Sequence, residues 1–269
     1  MVHSFCMKYL NSSLKVPLLD AIDKFTIIEL KHERAENKEN KQSIANETAF
    51  WKGVLDAYRK DGVEVKDEWI AIIEEVNGRL WDVEEAIRNA KKNKLSNEEV
   101  GKLAVQLRDL NDERVKKRVK MVEELDNDFF ETGEKIDADT PLKLPLHETI
   151  DRLTITALKL ERLKADKNYA SFQREYDFYS KVVDAFRRDG INVKDEWIAD
   201  MKAANGRVWD RESAIRQGRE QEFGLEEMGR RTLELRDIQM QERIPAKNKV
   251  AFAINAPFFE VKTKANHEQ

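Results

Sequence analysis

The amino-acid sequence predicts an all-α protein: two tandem copies of a three-to-four-helix antiparallel unit, packed as a pseudo-two-fold dimer. The first observation is a repeat, since residues 66–71 (KDEWIA) return unchanged at 194–199, 128 positions later. The second is composition, because 37% charged and 41% hydrophobic residues with few Gly and Pro suit long helices with solvated outer faces. The third is spacing: apolar residues recur at helical intervals and nowhere sustain the alternation of a strand.

The repeat divides the chain into five segments. Copy one spans residues 15–131 and copy two spans 143–260, with the polar residues 132–142 as a linker between them. Gly133 and Pro141 favour a loop in that stretch. Residues 1–14 form an N-terminal arm and residues 261–269 a C-terminal tail outside the repeat. Residues 129–131 return at 258–260, an offset of 129, so copy two has gained one residue.

The first helix of copy one is predicted to run from Pro17 toward Gly62, with a break near Asn46. Proline suits a first helical turn, where its missing N–H is harmless, and Pro145 occupies the same position in copy two. Gly62 and Gly190 each follow basic residues, the pattern of a helix C-terminus. A short connector follows, which favours an antiparallel neighbour.

Two further helices are predicted in each copy. In copy one they cover about residues 66–92 and 96–125, and the third opens on Ser96 and Glu99, which have the spacing of a capping box. Apolar residues of the third helix recur at a 3-4-3 spacing, at Val100, Leu103, Leu107 and Leu110. In copy two, Pro245 is predicted to shorten or kink this helix.

The second helix carries an apolar stripe and, beside it, a polar one. The apolar stripe is Trp69, Ile73, Val76, Leu80 and Ile87. The polar stripe is Asn77, Trp81, Glu84 and Arg88, and it recurs as Asn205, Trp209, Glu212 and Arg216. Val83 becomes Arg211 in copy two, so the buried arc is predicted to be rotated toward the polar stripe. Buried polar groups need partners, so this stripe is either a satisfied network or a ligand site.

Basic side chains on the first two helices are further candidates for a ligand site. Lys31 and Arg34 lie one turn apart and recur as Lys159 and Arg162. Arg79 recurs as Arg207, beside the polar stripe. Such cations could grip an anion such as a phosphate, and a solvated helix face is the alternative interpretation.

The sequence offers little catalytic chemistry. It has no CxxC, HExxH or Gly-rich phosphate loop, and none of its four histidines recurs between the copies. Glu74 and Glu75 give copy one a faint resemblance to all-α nucleotide pyrophosphatases, but copy two has Lys202 and Ala203 there. We therefore expect no catalytic residues, no cofactor and no metal site.

Charge and cysteine usage constrain the partners and the compartment. The net charge is −4 with both signs interleaved, which argues against binding duplex nucleic acid. Cys6 is the only cysteine, so no internal disulfide can form, and a cytoplasmic location fits. No apolar run approaches the roughly 18 residues of a membrane span. We expect no membrane association and a pseudo-dimeric monomer or a homo-oligomer.

Two longer sequence patterns stand out in copy one: Ile-Asp-Lys-x-Thr-Ile at residues 22–27 and Leu-Trp-Asp-x-Glu-x-x-Ile-Arg at 80–88. On such patterns, each copy resembles an uncharacterised all-helical domain family of bacteria and tailed phages. A Leu-Asn-Asp-Glu-Arg segment at 110–114 is also similar to the family, whereas copy two departs from it at 238–243. The resemblance covers nearly the whole chain. It implies a helical, phage-encoded domain and brings no activity with it.

Three classes of function follow from these observations. The favoured one is a non-catalytic binding or scaffold protein that holds a protein partner, or a small nucleotide- or phosphate-like anion, in two equivalent sites. Residues 19–34 also resemble the opening helix of all-α chorismate mutases, which leaves open an enzyme acting on a nucleotide or small acid. A virion or assembly component is the third alternative.

Overall fold

In a computed structural model, residues 18–34, 40–124 and 145–261 are described, and they form helices joined by short turns, without a strand. The first half contains α1 (Leu18–Arg34), α2 (Lys41–Lys60), α3 (Asp67–Arg88) and α4 (Asn97–Glu124). The second half contains α5 (Leu146–Arg162), α6 (Tyr169–Arg188), α7 (Asp195–Arg216), α8 (Glu220–Ile238), a π-helical turn (Gln239–Arg243) and α9 (Ile244–Ala253). The all-α prediction is confirmed. Among these helices, none is both long and apolar enough to cross a bilayer.

The first predicted helix of each copy is two helices. α1 ends at Arg34 and α2 begins at Lys41, so the predicted break near Asn46 was wrong. Asn46 lies inside α2, where its amide accepts a hydrogen bond from Gln42 at 2.8 Å and donates one to the Pro257 carbonyl at 2.6 Å. The side chain is therefore used for a tertiary contact and not for a turn. Pro145 caps α5 from the position before its first turn.

The predicted helix ends at Gly62 and Gly190 and the predicted start at Ser96 are confirmed, whereas α3 ends at Arg88 and not near Lys92. Gly62 and Gly190 follow α2 and α6 with φ of 78° and 83°, a backbone conformation that glycine adopts without penalty. Ser96 and Glu99 form the capping box at the start of α4: the Ser96 N–H donates to the Glu99 carboxylate at 2.7 Å, and the Glu99 N–H donates to Ser96 Oγ at 3.2 Å. The N-terminal arm, the linker, Pro17 and residues 262–269 lie outside the described residues.

The main hydrophobic core is continuous across the two halves. Leu18, Leu19 and Ile22 of α1 belong to the same buried cluster as Leu146 and Ile150 of α5. A second cluster, on α3 and α4, buries Val76, Leu80, Val83, Ile87, Val100 and Leu110. Leu233 of α8 packs against this second cluster, so neither cluster belongs to one half alone. The predicted apolar stripe of α3 is confirmed, because all five of its members are buried.

The closest approach between the halves is made by α4 and α8. A Cβ atom built on Gly101 would lie 2.8 Å from the carbonyl carbon of Leu225, and one built on Gly229 would lie 2.6 Å from that of Asn97. Neither glycine therefore has room for a larger side chain. Gly229 is the counterpart of Gly101 and Leu225 that of Asn97, each 128 residues on, so the contact is reciprocal.

The extra residue of copy two is absorbed by the π-helical turn Gln239–Arg243. Asp109 and Arg114 are five positions apart in α4, whereas Asp237 and Arg243 are six apart. A π-helical turn accommodates one inserted residue without ending the helix. Pro245 follows in the first turn of α9, so the predicted interruption is a widened turn followed by a new helical segment.

The predicted rotation of the buried arc toward the polar stripe was wrong. Val83 is buried at 6% exposure, while Trp81 and Arg88 are only half-buried and Glu84 is exposed. Arg211, which replaces Val83 in copy two, stays at the edge of the core because its guanidinium pairs with Glu234 of α8 at 3.3 Å. The apolar arc therefore keeps its position in α3, and of the polar stripe only Asn77 is buried.

Candidate functional site

The buried member of the polar stripe, Asn77, is the centre of a hydrogen-bonded network. Its Nδ2 donates to Asp23 Oδ1 at 3.1 Å and to Thr26 Oγ1 at 2.8 Å. Its Oδ1 accepts from Arg114 Nη1 at 3.1 Å, and the same nitrogen lies 3.4 Å from Asp23. The polar atoms of Asn77 therefore all have protein partners, which indicates a structural role.

The same network recurs in copy two. Asn205 Nδ2 donates to Asp151 Oδ1 at 3.0 Å and to Thr154 Oγ1 at 2.9 Å. Arg243 completes it with a bond to Asn205 Oδ1 at 2.9 Å and another to Asp151 Oδ2 at 2.6 Å. The sequence interpretation did not identify Arg114 and Arg243 as partners of the two asparagines, because these arginines align with each other only at the offset of 129. The shifted repeat at residues 258–260 was the signal that could have revealed them.

Charged residues join the networks of the two halves. Lys24 Nζ of α1 lies 3.0 Å from Glu148 of α5. In the counterpart pair the cation lies on α5 and the carboxylate on α1: Arg152 is the strongest positive charge acting on Asp20. Burial raises the pKa of Glu148, but Lys24 and Lys247 outweigh it and hold that pKa well below its usual range. These carboxylates therefore stay ionised at neutral pH.

Several of the predicted anion-binding residues form exposed ion pairs instead. Arg34 Nη1 lies 2.5 Å from Asp82, and its guanidinium lies 3.8 Å from a Cβ atom built on Gly78. Arg79 bridges Glu75 at 3.2 Å and Glu113 at 3.0 Å. The counterparts are similar: Arg162 pairs with Asp210, and Arg207 with Glu242. Such surface pairs contribute little stability, and they leave these guanidiniums occupied.

The remaining members of the polar stripe form a stacked group in each copy. The Arg88 guanidinium lies 4.9 Å from the centre of the Trp81 ring and pairs with Glu84 at 3.2 Å. In copy two, Arg216 lies 4.8 Å from the Trp209 ring and pairs with Glu212. Stacking on an aromatic face fixes the direction of the guanidinium. Arg88 and Arg216 are thereby held toward the space between the halves.

That space is a cavity of about 690 Å³ between α3, α4, α7 and α8, which we call the shared cavity. Counterpart residues of both copies line it in pairs: Glu84 and Glu212, Ile87 and Ile215, Arg88 and Arg216, Leu107 and Leu235, Arg108 and Arg236. Its walls therefore combine aliphatic side chains with four guanidiniums and with the three carboxylates of Glu84, Asp112 and Glu212, so positive charges outnumber negative ones by one. This composition suits a small molecule with an apolar body and an anionic group.

Two counterpart arginines of the shared cavity, Arg108 and Arg236, differ in whether their charge is paired with a carboxylate. Arg108 pairs with Glu220 and with Asp109, both at 2.7 Å. Arg236 makes no ion pair with a described residue and donates to the backbone carbonyls of Ile87 and Arg88 at the end of α3. Burial and the charge of Arg88 lower the pKa of Arg236. Arg236 is thus a partly buried cation that lies against carbonyl dipoles, with Asp237 as a weaker favourable charge and no ion pair to a described residue.

A second cavity, of about 250 Å³, lies on the other side of Arg88, and we call it the polar cavity. Lys31, Asn77 and Trp81 line it from copy one, and Lys247 and Glu148 line it from copy two. Lys247 is fully buried and pairs with Glu148 at 2.6 Å and Glu260 at 2.8 Å. Five residues that were predicted from the sequence as ligand residues lie at this cavity: Lys31, Asn77, Trp81, Glu84 and Arg88.

The described residues contain no group of three or more His, Cys, Asp or Glu arranged to hold a metal ion. The chain has no significant match among protein-family models, curated proteins or solved structures. The resemblance to a phage domain family therefore stays a prediction.

Proposed function

We propose that the chain is a non-catalytic helical binding protein whose two copies pack as a pseudo-two-fold dimer around one ligand. The ligand is a small amphipathic anion that occupies the shared cavity. The sequence interpretation placed two equivalent sites in the molecule. One site is favoured instead, because Glu84, Arg88, Glu212 and Arg216 line a single cavity.

Reciprocal contacts support the two-fold arrangement. Gly101 meets Leu225 as Gly229 meets Asn97, and Lys24 faces Glu148 as Arg152 faces Asp20. A reciprocal pattern of this kind is the property of an isologous interface, in which one surface is used twice. A cavity on a two-fold axis is lined by counterpart residues in pairs, which is the pattern of the shared cavity.

Arg236 is the observation that carries the ligand proposal. Its charge has no carboxylate partner among the described residues, although it lies partly buried beside aliphatic walls. A carboxylate or phosphate entering the cavity would supply that partner, since guanidinium groups bind both in a bidentate manner. The apolar body of the ligand would cover Ile87, Ile215 and Leu235.

Isothermal calorimetry with phenyl phosphate, octanoate, AMP and inorganic phosphate tests this proposal. We expect one molecule of an apolar-bodied anion per chain, and binding of inorganic phosphate at least 10-fold weaker. Arg236→Met should weaken binding by about 10-fold or more, the effect of losing one charge-assisted contact. Its matched control Arg108→Met should change binding far less, because Arg108 is already neutralised by Glu220. If none of the four compounds binds, or if the two variants weaken binding equally, the proposal is contradicted.

A further inference from the structure

The polar cavity contains a buried carboxylate whose charge is not balanced by another side chain. Glu47 of α2 lines this cavity and is only 6% exposed. It makes no hydrogen bond or ion pair within the described ranges 18–34, 40–124 and 145–261. A carboxylate with little access to water gains from a cationic partner, and a cation bound in the cavity would supply one.

Lys31 faces the same cavity and supplies the opposite charge without neutralising Glu47. It too forms no ion pair with the part of the chain that the structure describes, although it is only half-buried. The other cations that line the cavity are engaged, since Lys24 pairs with Glu148, Arg88 with Glu84, and Arg243 with Asp151. Glu47 and Lys31 are therefore the two charges that remain for a ligand.

Copy two provides an internal comparison. Lys159 and Glu175, the counterparts of Lys31 and Glu47, pair directly at 3.0 Å. The Glu175 side chain is 31% exposed, so its charge is also solvated. In copy one the same two residue types both line the polar cavity without forming an ion pair, and the carboxylate is buried. The difference between the copies indicates that the two charges of copy one are accessible to a ligand in the polar cavity, whereas those of copy two neutralise each other.

We infer that the polar cavity binds a small zwitterion, an α-amino acid or a molecule of the same chemistry. Its ammonium group donates to Glu47 and its carboxylate accepts from Lys31. A simple anion would leave Glu47 unpaired and a simple amine would leave Lys31 unpaired, so only a molecule with both charges compensates the site. A volume of about 250 Å³ is that of a ligand below drug size, and the Trp81 ring and Leu30 provide an apolar wall for its side chain.

The test is a thermal-shift and calorimetric titration of the full chain with the twenty protein amino acids, alongside propionate and propylamine as single-charge controls. We expect at least one amino acid to bind with a stoichiometry of one, and neither control to bind. Glu47→Gln and Lys31→Met should each weaken that binding by about 10-fold or more. Their matched variants Glu175→Gln and Lys159→Met should leave it unchanged.

Two outcomes would overturn the inference. No binding by any amino acid is one, and an equal loss from the copy-one and copy-two variants is the other. Stability measured on the same four variants identifies the alternative, in which Lys31 and Glu47 pair with each other in solution. In that case Glu47→Gln would lower the melting temperature as Glu175→Gln does. Arg236→Met tests the shared cavity separately, since Arg236 does not line the polar cavity.

Discussion

At the scale of single residues, copy two buries an imidazole where copy one buries an apolar side chain. His147 is fully buried, and neither ring nitrogen has a hydrogen-bond partner among the described residues. Its counterpart is Leu19, which is also buried. Burial lowers the pKa of His147 to about 4, because the charged form cannot be solvated there. His147 therefore makes the stability of the fold dependent on pH.

We predict that His147→Leu stabilises the protein, and more so in mild acid. The pKa is lowered on folding, so the unfolded chain takes up the proton first and stability is lost as the pH falls from about 6.5 to about 4. Between pH 7 and pH 5 the wild type should lose on the order of 2 kcal/mol through this residue, and the variant should not. The buried carboxylates Asp20, Glu148 and Asp151 have lowered pKa values, so they affect stability only at lower pH. Urea titrations at the two pH values measure the difference. A parallel decline in both proteins would show that His147 is not the cause.

At the scale of the element, one pair of small residues sets the distance between α4 and α8. Gly101 and Gly229 lie at counterpart positions, and each faces the backbone of the other helix. Glycine in the middle of a helix costs about 1 kcal/mol relative to alanine. That cost is offset here, because the missing side chains allow the two helices to pack along their length.

We predict that Gly101→Ala destabilises the protein by about 3 kcal/mol or more, since a methyl group there forces the two backbones apart. Gly229→Ala should do the same from the other helix. Gly53→Ala is the matched control, because Gly53 is exposed inside α2 with open space around its Cα, and this change should stabilise by about 1 kcal/mol. Chemical denaturation of the three variants measures these values. Loss of stability in the control, or none in the interface variants, would contradict the assigned packing.

At the scale of the whole molecule, most helix ends were predictable from sequence, whereas the break between α1 and α2 and the pairing of the helices were not. Local features were visible in the sequence itself: Ser96 marks a helix cap, Gly62 marks a helix end, and Trp69 begins the apolar stripe of α3. The contact of α4 with α8 depends on Gly101 and Gly229, single residues in long helices with no local signal. Arg114 and Arg243 were hidden by the inserted residue. The candidate site was predicted in part: Trp81 and Arg88 line cavities, whereas Glu47 has no pattern around it that marks a buried carboxylate.

The two halves also share one interior, because the core of α1 and α5 is continuous and α8 packs on the cluster of α3 and α4. Differential scanning calorimetry of the intact chain tests whether the two halves unfold together. We expect a single unfolding transition whose calorimetric enthalpy equals the van't Hoff enthalpy, since neither half can lose its contacts alone. Two resolved transitions, or a van't Hoff enthalpy near half the calorimetric value, would show that the copies fold independently and would contradict it.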